Sequence, residues 1–213
     1  SHCLDMCKKH HPAPMTFSDA SMSIAVVLSL GGRPETLGYY QKLKAEIDQR
    51  VGQKIGALPS EQYRLFWDHI PIWFKLRELT EKFASYDANV VGATYTDSLA
   101  FPRYADMWDP ERPIYSLSNF LVRSNRYFFP QHRLNHVLDL CREYSIDGVI
   151  LHNHRSCRYM DYDQYETAKE IERQLGIPSV IIQGDAVDPQ FLSEAQLDAQ
   201  LDAFMEMVET RKL

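Results

Sequence analysis

The chain contains no apolar run near the roughly 20 residues that a membrane-spanning helix needs. Ile24–Leu30 is far shorter and lacks the basic flank and cleavage site of a signal segment. Four cysteines (Cys3, Cys7, Cys141 and Cys157) in 213 residues do not make a disulfide framework, and they read as reduced thiols of a cytoplasmic protein. With a net charge of -6 and no cluster of Lys or Arg, the chain carries no footprint for nucleic acid. There is no GxGxxG after a strand and no P-loop, so ATP has no place here, and Gly31-Gly32 between helical segments reads as a helix stop. No internal repeat or low-complexity segment is visible. The opening SHCLDMCKKHH has no initiator Met and reads as a segment whose beginning lies elsewhere.

What is present has the hydrophobic share, 45%, of an ordinary soluble domain with one good core and a smaller helical appendage. Residues 1–57 read as helical. Cys3 and Cys7 share one face of a first helix, and CxxxC alone is a weak metal signal. A second helix covers 18–30 with Ser18 or Asp19 as N-cap. A third covers 34–53, with Leu37, Tyr40, Leu43, Ile47 and Val51 as its buried stripe. Together they predict a helical hairpin.

Residues 58–213 read as an α/β domain. Apolar runs predict strands at 63–67, 89–94, 148–152 and 179–183, each followed by a helical pattern: 72–85, 130–144, 161–175 (Tyr165, Ala168, Ile171 and Leu175 inward) and a last helix capped by Ser193. This alternation predicts a four-stranded parallel sheet flanked by helices and preceded by the hairpin. The Pro-punctuated aromatic stretch 101–129 reads as a long loop, of the kind that forms lids or binding walls.

In an open parallel sheet, ligands sit beyond the carboxyl ends of the strands. Asp68 and His69 leave the first strand, Tyr95, Thr96 and Asp97 the second, and Asp185 and Asp188 the fourth. The third strand runs into His152, Asn153, His154, Arg155, Ser156, Cys157 and Arg158. Guanidiniums and imidazoles beside Cys157 favour its thiolate, the form that attacks acyl groups or binds metal. Three readings stand: a Cys/His nucleophile, one ligand of an iron–sulfur cluster, or a plain thiol in a polar loop. His152, His154 and Arg155 are the candidate catalytic groups.

The run DGVILHNHRSCR, the strand GIPSVII and the DAVDP turn before FMEM resemble the carboxyl-terminal part of the 2-hydroxyacyl-CoA dehydratase and benzoyl-CoA reductase family. GGRPETLGYYQKLKAEIDQRV, YRLFWDHIPIWFKL and NVVGATYTDS are similar to it in the same order. The resemblance implies that 58–213 is a carboxyl-terminal lobe and that Cys157 is one of three cysteine ligands of a [4Fe–4S] cluster. The remaining ligands would come from an amino-terminal lobe not in this chain. It also implies an acyl-CoA substrate, a homologous second subunit and an ATP-dependent iron–sulfur activator protein. The family's chemistry is one-electron reduction of the thioester to a ketyl radical anion that expels the 2-hydroxyl, or reduction of an aromatic ring in the benzoyl-CoA branch. A non-catalytic structural or electron-relay lobe is the remaining reading.

Overall fold

β-Branched and aromatic runs bounded by turns form the strands, as their composition requires. The computed structural model describes residues 2–98, 108–124, 130–157 and 161–212. Among these lie β1 (Tyr63–Asp68), β2 (Ala88–Ala93), β3 (Gly148–His154) and β4 (Ser179–Gly184). All pair in parallel, in the order β2-β1-β3-β4. The register sets Trp67 opposite Ala93, Asp68 opposite Leu151, and His154 opposite Gly184. After β1 the chain adds β2 on one side and then returns to add β3 on the other. The direction therefore reverses between β1 and β3, and at such a switch point the loops leave in opposite directions and open a crevice at the carboxyl edge.

The helices are α1 (His2–Lys9), α2 (Phe17–Leu30), α3 (Pro34–Gln53), α4 (Leu76–Ala84), α5 (Thr94–Ser98), α6 (Pro113–Ser124), α7 (Pro130–Glu143), α8 (Gln164–Leu175) and α9 (Glu194–Lys212). On one face of the sheet, Leu76, Leu79 and Phe83 of α4 and Leu197, Leu201, Phe204 and Val208 of α9 pack on Leu65, Trp67, Ile150 and Ile182. On the other, Val137, Leu138 and Cys141 of α7, Ile171 of α8 and Cys7 of α1 pack on Phe66, Val91, Val149 and Leu151. No described helix is long and apolar enough to cross a membrane.

Several expectations need correction. The N-cap of α2 is Thr16: its hydroxyl accepts from the Asp19 amide while the Asp19 carboxylate accepts from the Thr16 amide, a closed capping box that neither Ser18 nor Asp19 as cap provides. In α3 only Ile47 of the expected stripe is fully buried, and Leu37 is exposed, because α3 meets the body over part of its length. Part of the expected loop 101–129 is helical. Pro113 opens α6, a position where its missing N–H is no loss. Residues 101–107 and 125–129 lie outside the described residues. In α8, Ala168, Ile171 and Leu175 face the core as expected, but Tyr165 is exposed, and the polar pair Gln164 and Thr167 is buried and serves the site described next.

Candidate functional site

At the carboxyl end of β1, Asp68 is wholly buried, and its charge is compensated by Arg133 of α7. Thr94 Oγ1 donates to Asp68 Oδ1 at 2.9 Å. Burial pushes the Asp68 carboxyl's pKa up, but Arg133, His69 and Thr94 more than offset this, and it lies below the ordinary carboxylate value. The same guanidinium donates to Asp163 Oδ1 at 2.8 Å and to Thr167 Oγ1 at 3.2 Å. Arg133 thus joins β1, α7 and α8 beneath the switch point.

His69 follows with φ of 80°, left-handed backbone that disfavours a branched L side chain, and its amide donates to Thr94 Oγ1 at 2.8 Å. Its Nε2 lies 2.6 Å from Arg133 Nη2. Guanidinium only donates, so Nε2 accepts and the proton of the neutral ring sits on Nδ1. Burial lowers the pKa of His69 to about 4, which keeps the ring neutral. Nδ1 is buried and has no hydrogen-bond partner among the described residues.

His152, on β3, is assigned by the same logic in the opposite sense. Its Nδ1 lies 2.7 Å from the carbonyl of Ile70, which can only accept, so Nδ1 carries the proton and Nε2 a bare lone pair. Burial brings its pKa to about 4 as well, and Nε2 has no hydrogen-bond partner among the described residues. Gly184 leaves room beside it: a Cβ placed there would lie 3.4 Å from Nε2 and 3.3 and 3.5 Å from Leu192 and Ile72. The ring stacks on His154 at 5.6 Å between centroids, and Gln164 of α8 donates to the His152 carbonyl at 2.9 Å.

The turn that carries Cys157 is closed by several bonds. His154 donates its amide to Asp161 Oδ1 at 2.9 Å, and the amide of Ser156 donates to His154 Nδ1 at 3.2 Å. The amide of Cys157 donates to the His154 carbonyl at 2.9 Å, and that of Arg155 to the Gly184 carbonyl at 3.0 Å. Ser156 Oγ donates to Asp185 Oδ2, while Asp185 Oδ1 accepts from the amides of Val187 and Asp188 at 3.0 and 3.1 Å. The Ser156 hydroxyl first, then the Val187 amide, hold the Asp185 carboxyl down to about 2. Cys157 is half-buried at the end of this turn, and Arg155 lies over the Phe191 ring at 4.3 Å.

The structure therefore places His69, His152, His154, Cys157 and Asp185 along one edge, whereas Asp97 pairs with His136 of α7 at 3.2 Å. Asp188 caps the short turn Pro189–Phe191. Arg158 lies outside the described residues. Arg133, Thr94 and Asp163 were not singled out in the sequence. Arg133 had a signal, because it lies on the buried stripe of α7 at helical spacing from Val137, Leu140 and Tyr144. Of the other cysteines, Cys7 is buried and its thiol is pushed up to about 12 by burial, which also raises Cys141.

Among the described residues, no group of three His, Cys, Asp or Glu side chains is placed to hold a metal ion. Cys157 offers one thiolate, and one thiolate does not hold a four-iron cluster, so these residues do not fit such a group by themselves.

Residues 2–208 match the family model described as 2-hydroxyglutaryl-CoA dehydratase, D-component. The chain is 26% identical over 212 residues to a benzoyl-CoA reductase subunit of Thauera aromatica, covering 96% of this chain and 49% of that protein. It is also 26% identical over 202 residues to the (R)-2-hydroxyisocaproyl-CoA dehydratase alpha subunit of Clostridioides difficile, covering 94% and 48%. The alpha subunit of (R)-2-hydroxyglutaryl-CoA dehydratase from Acidaminococcus fermentans is 25% identical over 202 residues, covering 94% and 41%. The chain thus spans about half the length of the curated relatives it matches.

Proposed function

Because this chain belongs to the 2-hydroxyglutaryl-CoA dehydratase D-component family, we propose that it forms part of a subunit of a 2-hydroxyacyl-CoA dehydratase, a lyase that removes water from an acyl-CoA. The observation that carries this reading is the position of Cys157. It sits on a clamped turn at the carboxyl edge of β3, beside the β1/β3 switch point where an α/β sheet receives its ligand. In this reading Cys157 is one ligand of a [4Fe–4S] cluster whose other ligands come from an amino-terminal lobe; a homologous second subunit works beside it, and an ATP-dependent iron–sulfur activator protein supplies the electrons. With its other ligands in place, such a cluster would supply one-electron reduction of the acyl-CoA thioester, and Cys157 is the residue of this chain that would hold it.

The residues of this chain have narrower roles. The Ser156–Asp185 contact and the His154 backbone hold the sulfur in place. His152, with a pKa of about 4, serves as a hydrogen-bond acceptor and not as a proton carrier near neutral pH. His154 is the candidate for proton transfer. Arg155, stacked on Phe191, is a candidate for the anionic part of the substrate.

The benzoyl-CoA reductase relative matches over as much of the chain as the dehydratase relatives do, so reduction of an aromatic acyl-CoA is the second reading. The test is turnover by the anaerobically purified assembly containing this chain, with activator and ATP. Formation of an enoyl-CoA from a 2-hydroxyacyl-CoA supports the dehydratase. Ring reduction of benzoyl-CoA supports the second reading, and inertness toward both contradicts the catalytic assignment.

A further inference from the structure

Resting on the acyl-CoA reading above, we infer that His69 is a substrate-binding residue whose Nδ1–H donates a hydrogen bond to the carbonyl oxygen of the bound thioester. Four observations converge on it. The side chain is completely buried, and yet Nδ1 has no partner among the described residues. Folded proteins rarely leave such a donor unused, and where they do, a ligand or water is the usual partner. The proton is assigned to Nδ1 by the protein itself, since Arg133 occupies Nε2, and Arg133 is in turn fixed by Asp68, Asp163 and Thr167. A donor oriented by a buried network needs no reorganisation when an oxygen arrives.

The third observation is the backbone. At φ of 80° glycine would be unstrained, and the chain instead places a histidine there, as strained residues at functional edges often do. The fourth is position. His69 follows Asp68, and His152 follows Leu151, the residue paired with Asp68 across β1 and β3, so the two histidines stand at neighbouring positions of adjacent strands, His69 just past the end of β1 and His152 within β3. Elsewhere in the sheet, in a comparable network, the guanidinium nitrogens are all paired, and the atom left without a partner among the described residues is an acceptor, Asn89 Oδ1. At the amino end of β1, Arg64 donates to Glu61 and to the carbonyls of Cys7 and Tyr144, and Glu61 also accepts from Ala13 and Asn89. That network staples the fold. The one around His69 stops at an unfilled donor.

A neutral N–H suits a neutral carbonyl whose oxygen gains negative charge during reaction, which a thioester supplies. The experiment uses the complete assembly with two probes: butyryl-CoA, which has the thioester carbonyl, and butyl-CoA, the thioether without it. The wild-type protein should bind butyryl-CoA about tenfold more tightly. His69→Gly, which fits the backbone, should bring that ratio to about one while leaving butyl-CoA affinity unchanged. His69→Asn, which tolerates this backbone region and keeps an N–H, should restore several-fold preference. An unchanged ratio in a folded His69→Gly protein overturns the inference.

Should His69→Gly fail to fold, the Nδ1–H resonance of 15N-histidine-labelled wild-type protein decides. It should move with butyryl-CoA and not with butyl-CoA. A resonance that neither probe moves, as for a donor satisfied by a buried water, also overturns it. If the wild type binds neither probe, the acyl-CoA reading itself fails and this inference falls with it, a pattern distinct from binding without discrimination.

Discussion

Ser156 and Asp185 join the turns leaving β3 and β4: the serine hydroxyl donates to Asp185 Oδ2, and the other carboxylate oxygen holds the amides of Val187 and Asp188. The position of Cys157 thus depends on a residue 28 positions downstream, in the turn that leaves the neighbouring strand. Ser156→Ala removes one hydrogen bond and should cost the fold only about 1 kcal/mol. That amount raises local opening of the turn about fivefold. Site-resolved alkylation of Cys157 should accelerate by a similar factor while the circular dichroism is unchanged. An unaltered rate would show that the bond does not restrain the turn.

Arg133 compensates a carboxylate with no access to water, so Arg133→Met should destabilise the chain by about 3–5 kcal/mol, because Asp68 is left buried and uncompensated. Urea midpoints measure this. The double variant with Asp68→Asn should recover much of the loss, and a double variant no more stable than the single one would contradict the account.

The fold was legible where the physics is local. Val149, Ile150 and Leu151, or Val180, Ile181 and Ile182, are β-branched or apolar runs that only a sheet buries well, and the helices between them repeat at helical period. Ser193 before Leu197, Leu201, Phe204 and Val208 marked the last helix for the same reason. The order β2-β1-β3-β4 is a tertiary outcome and was not readable. The site was half legible. His69, His152, His154 and Cys157 stand out as polar residues after apolar strands. Arg133 on α7 and Asp163 just before α8 are 30 residues apart, and only packing reveals that they share a bond. Tyr165 was misplaced because the inner face of this helix, apolar through Ala168, Ile171 and Leu175, also takes in a polar pair, Gln164 and Thr167.

Acid should destabilise the protein through His69 and His152. Both have folded pKa values of about 4, below the unfolded value of about 6.5. The unfolded chain therefore binds more protons between these limits. Their stabilisation is complete above about pH 6.5 and falls as pH drops toward 4, by about 2 kcal/mol for each at pH 5. Asp68, whose pKa is lowered, extends the loss below about pH 4. Urea midpoints at pH 7.5, 6 and 5 should decline accordingly, and His152→Asn should lose about half of the slope. A flat profile would show that the rings are not buried neutral.

Two glycines should respond oppositely to alanine. A Cβ at Gly148 on β3 would meet Phe204 Cζ at 2.7 Å and Val208 Cγ2 at 2.8 Å, so α9 must shift, at a cost of about 1–3 kcal/mol. A Cβ at Gly38 within α3 meets nothing, and alanine there should stabilise by about 0.5–1 kcal/mol. Thermal melts of the two variants, moving in opposite directions, would confirm the packing of α9 on β3.

The most direct measurement of the central claim is the iron and acid-labile sulfide content of the anaerobically purified assembly carrying Cys157→Ala in this chain. Cys157 is half-buried at the end of its turn, and alanine should leave the fold and its thermal midpoint close to wild type. The account predicts loss of one cluster's iron and sulfide with the fold retained. Iron and sulfide equal to wild type in a folded Cys157→Ala protein would contradict it.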